Sequence, residues 1–70
     1  MKIFAPFAGI VHYRVSQGES VDTGQVVAVV EAVKLEAALV APGPGVVAQM
    51  NFADFDDCEG GDALLSIDAS

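Results

Sequence analysis

The apolar positions of the chain fall in short clusters separated by polar turns that contain Gly. Ile10 to Val15 is rich in β-branched and aromatic residues and predicts a strand. Ser16-Gln17-Gly18-Glu19-Ser20 predicts a turn, Val21 a single buried anchor, and Asp22-Thr23-Gly24-Gln25 a second turn. Upstream, Lys2-Ile3-Phe4 can enter a strand at once, and Pro6 confines the residue before it to extended or turn geometry. The stretch from Val26 to Val40 reads two ways. Val26, Val29, Val30, Val33, Ala37 and Val40 lie at helical spacing, and Glu, Lys, Leu and Ala favour helices. Six valines in these fifteen residues favour a pleated surface instead, and Leu35, Ala37 and Leu39 alternate with Glu36 and Ala38. Local pattern leaves both readings open.

An internal repeat decides between them. A shift of 36 places Ala5, Pro6, Gly9, Ile10 and Val11 on Ala41, Pro42, Gly45, Val46 and Val47. A shift of 37 places Val21, Asp22, Gly24, Val27 and Val30 on Cys58, Glu59, Gly61, Leu64 and Ile67. The two shifts require one extra residue in the second half, expected between Asn51 and Asp57. Each half then reads strand, turn, anchor, turn, strand, with halves at about 4–33 and 40–68 of a single domain spanning 1–70. Val26–Val30 matches Ala63–Ile67, which has no room to continue as a long helix. Two such half-units, neither able to bury its apolar face alone, close as a small all-β sandwich or flattened barrel. They meet at Glu31–Glu36, so the chain reverses there in a hairpin with Val33-Lys34 near its tip. Neither Asn-Gly nor Gly-Gly marks that turn. The β-branched Val33 suits it poorly, which suggests that the position serves something other than turn stability.

Composition narrows the function. Hydrophobic residues make up 53% of the chain, enough for a core. The net charge of -7 sets ten acids against Lys2, Arg14 and Lys34, which disfavours nucleic acid and anionic membrane surfaces as partners. Cys58 is the only cysteine, so no intrachain disulfide forms, and its alignment with Val21 makes it a small core residue. No signal peptide or membrane-spanning run is apparent, and a cytoplasmic location is expected. The domain begins at its own Met1 with no Ala/Pro-rich linker before it, and so reads as a small separate subunit or a trimmed domain. His12 has no second ligand type at metal spacing and is expected to be structural or exposed. Asp54, Asp56, Asp57, Glu59 and Asp62 lack the order of a calcium loop and are expected to form a solvated turn, anchored by Phe52 and Phe55. No nucleophile–base pair or carboxylate pair can be assembled, so catalysis by this chain is not expected.

What remains is a lysine at the joint of two matching halves. Glu31-Ala32-Val33-Lys34-Leu35-Glu36 resembles the Glu-Ala-Met-Lys-Met-Glu signature of biotinyl domains, found in biotin carboxyl carrier proteins and biotin-dependent carboxylases. The Ala-Pro-x-x-Gly-[Ile/Val]-Val phrase on both sides and the paired Gly turns in Gln17–Gln25 are similar to the same family. The likeness extends over roughly Phe4 to Ile67. It implies a flattened barrel of two four-stranded antiparallel sheets with quasi-twofold symmetry, and biotin joined covalently to Lys34 on an exposed turn. It also implies that Glu31, Ala32, Val33, Leu35 and Glu36 are read by a biotin protein ligase. The partners it implies are a biotin carboxylase and a carboxyltransferase, in an acyl-CoA carboxylase such as that of fatty acid biosynthesis. Val33 and Leu35 depart from the family's flanking methionines, and unbranched Met adapts to a partner surface better than Val does. The related lipoyl domains carry Asp before their lysine, so lipoate is the alternative cofactor and the apolar flanks lie nearer the biotin pattern. An unmodified structural module, as in efflux adaptor proteins, is the remaining alternative.

Overall fold

In the computed structural model, which describes residues 1–69, the chain forms eight strands: β1 (Lys2–Phe4), β2 (Gly9–Tyr13), β3 (Ser20–Val21), β4 (Val26–Glu31), β5 (Glu36–Val40), β6 (Gly45–Met50), β7 (Asp57–Cys58) and β8 (Ala63–Ala69). No helix occurs among the described residues, so the helical spacing in Val26–Val40 is coincidental. That stretch is β4, a turn and β5. The first predicted strand begins at Gly9 and ends at Tyr13, short of Val15.

The strands pair antiparallel in two sheets of four, ordered β1-β8-β6-β3 and β5-β4-β2-β7. Exchanging β1 with β5, β2 with β6, β3 with β7 and β4 with β8 turns one order into the other, which is the quasi-twofold the repeat predicts. The main-chain hydrogen bonds obey the same exchange. Gly18 N–H donates to the Val47 carbonyl, and Phe55 N–H donates to the Val11 carbonyl, both at 2.8 Å. Gly24 N–H reaches the Ala41 carbonyl and Gly61 N–H the Ala5 carbonyl, again at 2.8 Å.

The core lies between the sheets, where Val11, Val27, Val30, Val47, Leu64, Leu65 and Ile67 are fully enclosed. Each such side chain contributes roughly 1.5–3 kcal/mol of transfer free energy. Cys58 and Val21 are buried as equivalent anchors, as their alignment requires. Alternation breaks in two matching places. The register between β4 and β5 slips between Val26 and Ala28, and that between β1 and β8 slips between Ile3 and Phe4. Val27 and Leu64 are the bulged residues, and each bulge turns an extra side chain inward. Val27 and Ala28 are therefore both buried, as are Leu64 and Leu65.

The extra residue of the second half is not in the Asn51–Asp57 loop. On β2 the register with β4 is regular through Val11, His12 and Tyr13, whereas on β6 the register with β8 slips between Val47 and Gln49. Ala48 is the insertion, absorbed as a third bulge that has no counterpart. A strand takes up one residue this way at the cost of a local kink, and residues on either side keep their faces.

The loop after β6 also differs from expectation. Phe52 is half-buried against the core, as expected, but Phe55 is 66% exposed. Its φ of 69° is the only left-handed value at a non-glycine among the described residues, and its counterpart in the first half is Gly18 at 88°. The Phe55 ring meets the His12 ring edge to face at 4.7 Å.

Candidate functional site

At one pole of the molecule β4 turns into β5. Glu31 and Glu36 face each other as the last cross-strand pair, and the Ala32 N–H donates to the Leu35 carbonyl at 2.8 Å. This leaves Val33 and Lys34 as the tip. Neither has a positive φ, so the turn is not one of the primed types that favour Gly and Asn. Val33 is therefore accommodated without a left-handed backbone conformation. Its side chain is 99% exposed, and Leu35 is 59% exposed. A fully solvated valine gains no burial on folding, so folding stability gives no reason for an apolar side chain here.

Lys34 is exposed, and among the described residues its ammonium has no ion-pair partner, although Glu31 and Glu36 are close in sequence. Glu31 faces the other way. Its Oε1 lies 3.5 Å from His12 Nε2 on β2, a contact that becomes an ion pair when the imidazole is protonated. His12 Nε2 is shielded from solvent and makes no hydrogen bond. His12 thus lies on the outer face of the sheet, between Glu31 and Phe55, where alternation from buried Val11 puts it. Sequence reasoning missed this pair because it joins residues nineteen apart, across a register that only the folded sheet defines.

Rigidity below the turn comes from strand packing. Gly9 on β2 runs against the Glu31 main chain so closely that a Cβ at Gly9 would lie 2.5 Å from the Glu31 carbonyl oxygen. Farther along β2, the Tyr13 hydroxyl donates to the Leu64 carbonyl at 2.8 Å and accepts from the Phe52 N–H at 3.2 Å. Burial raises the pKa of Tyr13, the Phe52 N–H opposes that, and the charges of Asp56, Cys58 and Asp54 add smaller upward contributions. Three of the loop acids are structural acceptors: Asp54 for Tyr13 N–H, Asp56 for Ala53 N–H and Asp62 for Glu59 N–H. The last two repeat the turn bonds of Glu19 to Ser16 N–H and Gln25 to Asp22 N–H, so the repeat itself could have identified them. No cluster of three or more metal-ligating side chains occurs among the described residues.

A shallow, open groove lies at the foot of the hairpin, bordered by Ala8–Ile10, Glu31–Val33 and Asp57–Glu59. The arrangement can present one amine to a partner at the end of a stiff support.

The biotin/lipoyl family model, described as "Biotin-requiring enzyme", matches residues 1–67. The chain belongs to this family. Domains of the biotin/lipoyl family are carriers of a covalently attached cofactor and not catalysts. Among solved structures, a single-chain, multi-domain long-chain acyl-CoA carboxylase matches with a TM-score of 0.84 and 26% identity, over 93% of this chain and 6% of that one. The urea carboxylase of Kluyveromyces lactis matches with a TM-score of 0.84 and 25% identity, over 96% of this chain and 6% of that one. An aspartoacylase family protein from Mesorhizobium loti matches with a TM-score of 0.85 over 94% of this chain and 22% of that one; its 18% identity marks a shared fold alone. The chain thus spans between 6% and 22% of the length of these three solved chains. A search among curated proteins returned no match.

Proposed function

We propose that Lys34 is the attachment point for biotin, joined as an amide to its ε-amine, and that these 70 residues are the carrier of a biotin-dependent carboxylase. The observation that carries this reading is the placement of Lys34. It is exposed and without an ion-pair partner among the described residues, at the tip of a braced hairpin in a biotin/lipoyl-family domain. Two of the similar structures being carboxylases supports biotin over lipoate, as does apolar Val33 before the lysine. The donor set fits: the amine is accessible, and the flanking Val33 and Leu35 side chains point into solvent, where a ligase can grip them.

When bound, biotin supplies a ring nitrogen that accepts and gives up a carboxylate. The chain's own part is to hold the arm at a fixed base and raise its effective concentration at two partner sites, a biotin carboxylase and a carboxyltransferase. The acceptor we favour is an acyl-CoA, and the setting the cytoplasm. Glu31, Ala32, Val33, Leu35 and Glu36 form the surface offered to the biotin protein ligase.

The test is intact mass of the protein from its native host, with an avidin gel shift and a Lys34→Ala control. A biotin-sized increment that vanishes in the control is the expected result. A lipoyl-sized increment moves the domain to acyl transfer. An unmodified mass even with biotin ligase co-expressed leaves a structural module as the better reading.

A further inference from the structure

The groove at the foot of the hairpin has an unusual lining. Half-buried Ile10, fully exposed Val33 and buried Cys58 are its larger apolar residues. The charged groups around it are Glu31, Asp57 and Glu59, and no Lys or Arg borders it. Such a lining accepts hydrogen bonds and donates almost none. It suits a small, partly apolar ligand bearing N–H groups, and it opposes an anion.

Two further features tie the groove to the arm. Ala32 and Val33 belong both to the groove wall and to the turn that ends in Lys34. The groove spans β4, β2 and β7, neighbours in one sheet, and so about 10 Å across two strand spacings. A lysyl arm extended by a valeryl chain can double back over that distance. The matching positions at the other pole are less acidic, since Ser20 stands where Asp57 does.

Resting on the attachment reading above, we propose that this groove is a docking site for the cyclic urea at the end of the arm carried on Lys34. The urea N–H groups donate to Asp57 and Glu59, and the ring lies against Ile10 and Val33. The groove thereby distinguishes the two forms of the ring. Carboxylation at a partner's site exchanges a ring N–H for N–carboxylate, and the groove takes no part in that bond change. The product has one donor fewer and a negative charge facing the Asp57 and Glu59 carboxylates. The empty ring is held against the domain and the loaded ring is expelled.

Amide chemical shifts of 15N-labelled protein, fully biotinylated by co-expressed ligase and confirmed by mass, can be compared with those of the unmodified form. The expected changes extend beyond residues 32–36 to Gly9, Ile10 and residues 57–59. In Asp57→Ser and Asp57→Ser/Glu59→Lys, both at exposed positions, the changes at Gly9 and Ile10 should disappear while those at the hairpin remain. Avidin should also capture the double variant faster. Changes confined to residues 32–36 in the fully modified wild type would overturn the docking site and leave the carrier reading intact. Failure to find any increment on Lys34 would overturn both.

Discussion

At the scale of single residues, Val33 and Leu35 are the most informative. Both are exposed apolar side chains, and neither touches the core cluster. Val33→Met with Leu35→Met should therefore leave folding stability within about 0.5 kcal/mol, as for other surface changes. The same pair should accelerate biotin attachment, because unbranched Met fits itself to an enzyme surface. A mass time course with purified ligase checks both the rate and its direction. Tyr13 makes the opposite case, a residue whose contribution is structural. Tyr13→Phe removes two hydrogen bonds and leaves the Phe52 N–H without its acceptor, while the Leu64 carbonyl keeps the Asn51 N–H, for an expected loss of about 1–3 kcal/mol in urea unfolding. Burial raises its folded pKa above the ordinary 10.0, so the neutral phenol is favoured in the native state. That stabilisation is complete below pH 10 and is lost as pH rises through the folded value. Absorbance titration of the sole tyrosine should show a midpoint above 10 that falls to 10 in denaturant.

At the scale of elements, the repeat made the strands legible where local pattern did not. Six valines and a helical spacing competed within Val26–Val40, and only the match of Val26–Val30 to Ala63–Ile67 excluded a helix. Bulges were not legible, because a register slip depends on what lies opposite. Nothing in Val47-Ala48-Gln49 marks Ala48 as the supernumerary residue; its partner strand does. The consequence is testable. Deleting Ala48 gives β6 the regular ladder that β2 has and should cost less than about 2 kcal/mol, within the range of ordinary single changes, since both flanking pairs already keep their register. Deleting His12 from β2, which has no slack, should invert the faces of the strand and prevent folding. Circular dichroism and thermal melts of the two deletions separate these outcomes. The turn at Lys34 was located correctly but its conformation was not, because an open turn with negative φ leaves no glycine signal. The groove was invisible for a related reason. Its three walls are far apart in sequence, and only sheet order brings β7 beside β2.

Close approach of main chains gives the element scale its most demanding sites. A methyl group at Gly9 would press on the Glu31 carbonyl, and one at the equivalent Gly45 on the Asp68 carbonyl. Neither neighbour is a flexible side chain. Gly9→Ala should therefore destabilise by about 2 kcal/mol or more, within the 1–3 kcal/mol typical of overpacking. Because the strain falls on the hairpin base, slower biotin attachment should accompany it. The same assay applied to Gly45→Ala should show the loss of stability with no effect on attachment rate.

At the scale of the whole molecule, both ends of the described chain lie away from Lys34. Met1 exchanges hydrogen bonds with Ile67, and Ala69 pairs with Gly45, at the pole opposite the β4–β5 turn of a body 35 Å long. The quasi-twofold carries that turn onto the gap between β8 and β1. Topologically the eight strands form a ring with two equivalent joints, the β4–β5 turn and the gap between β8 and β1. Bridging the gap with a copy of Ala32–Leu35 and opening the chain at Val33 would yield the same barrel with its lysine at the other pole. Bridging without a second cut would make a closed carrier with two arms facing in opposite directions.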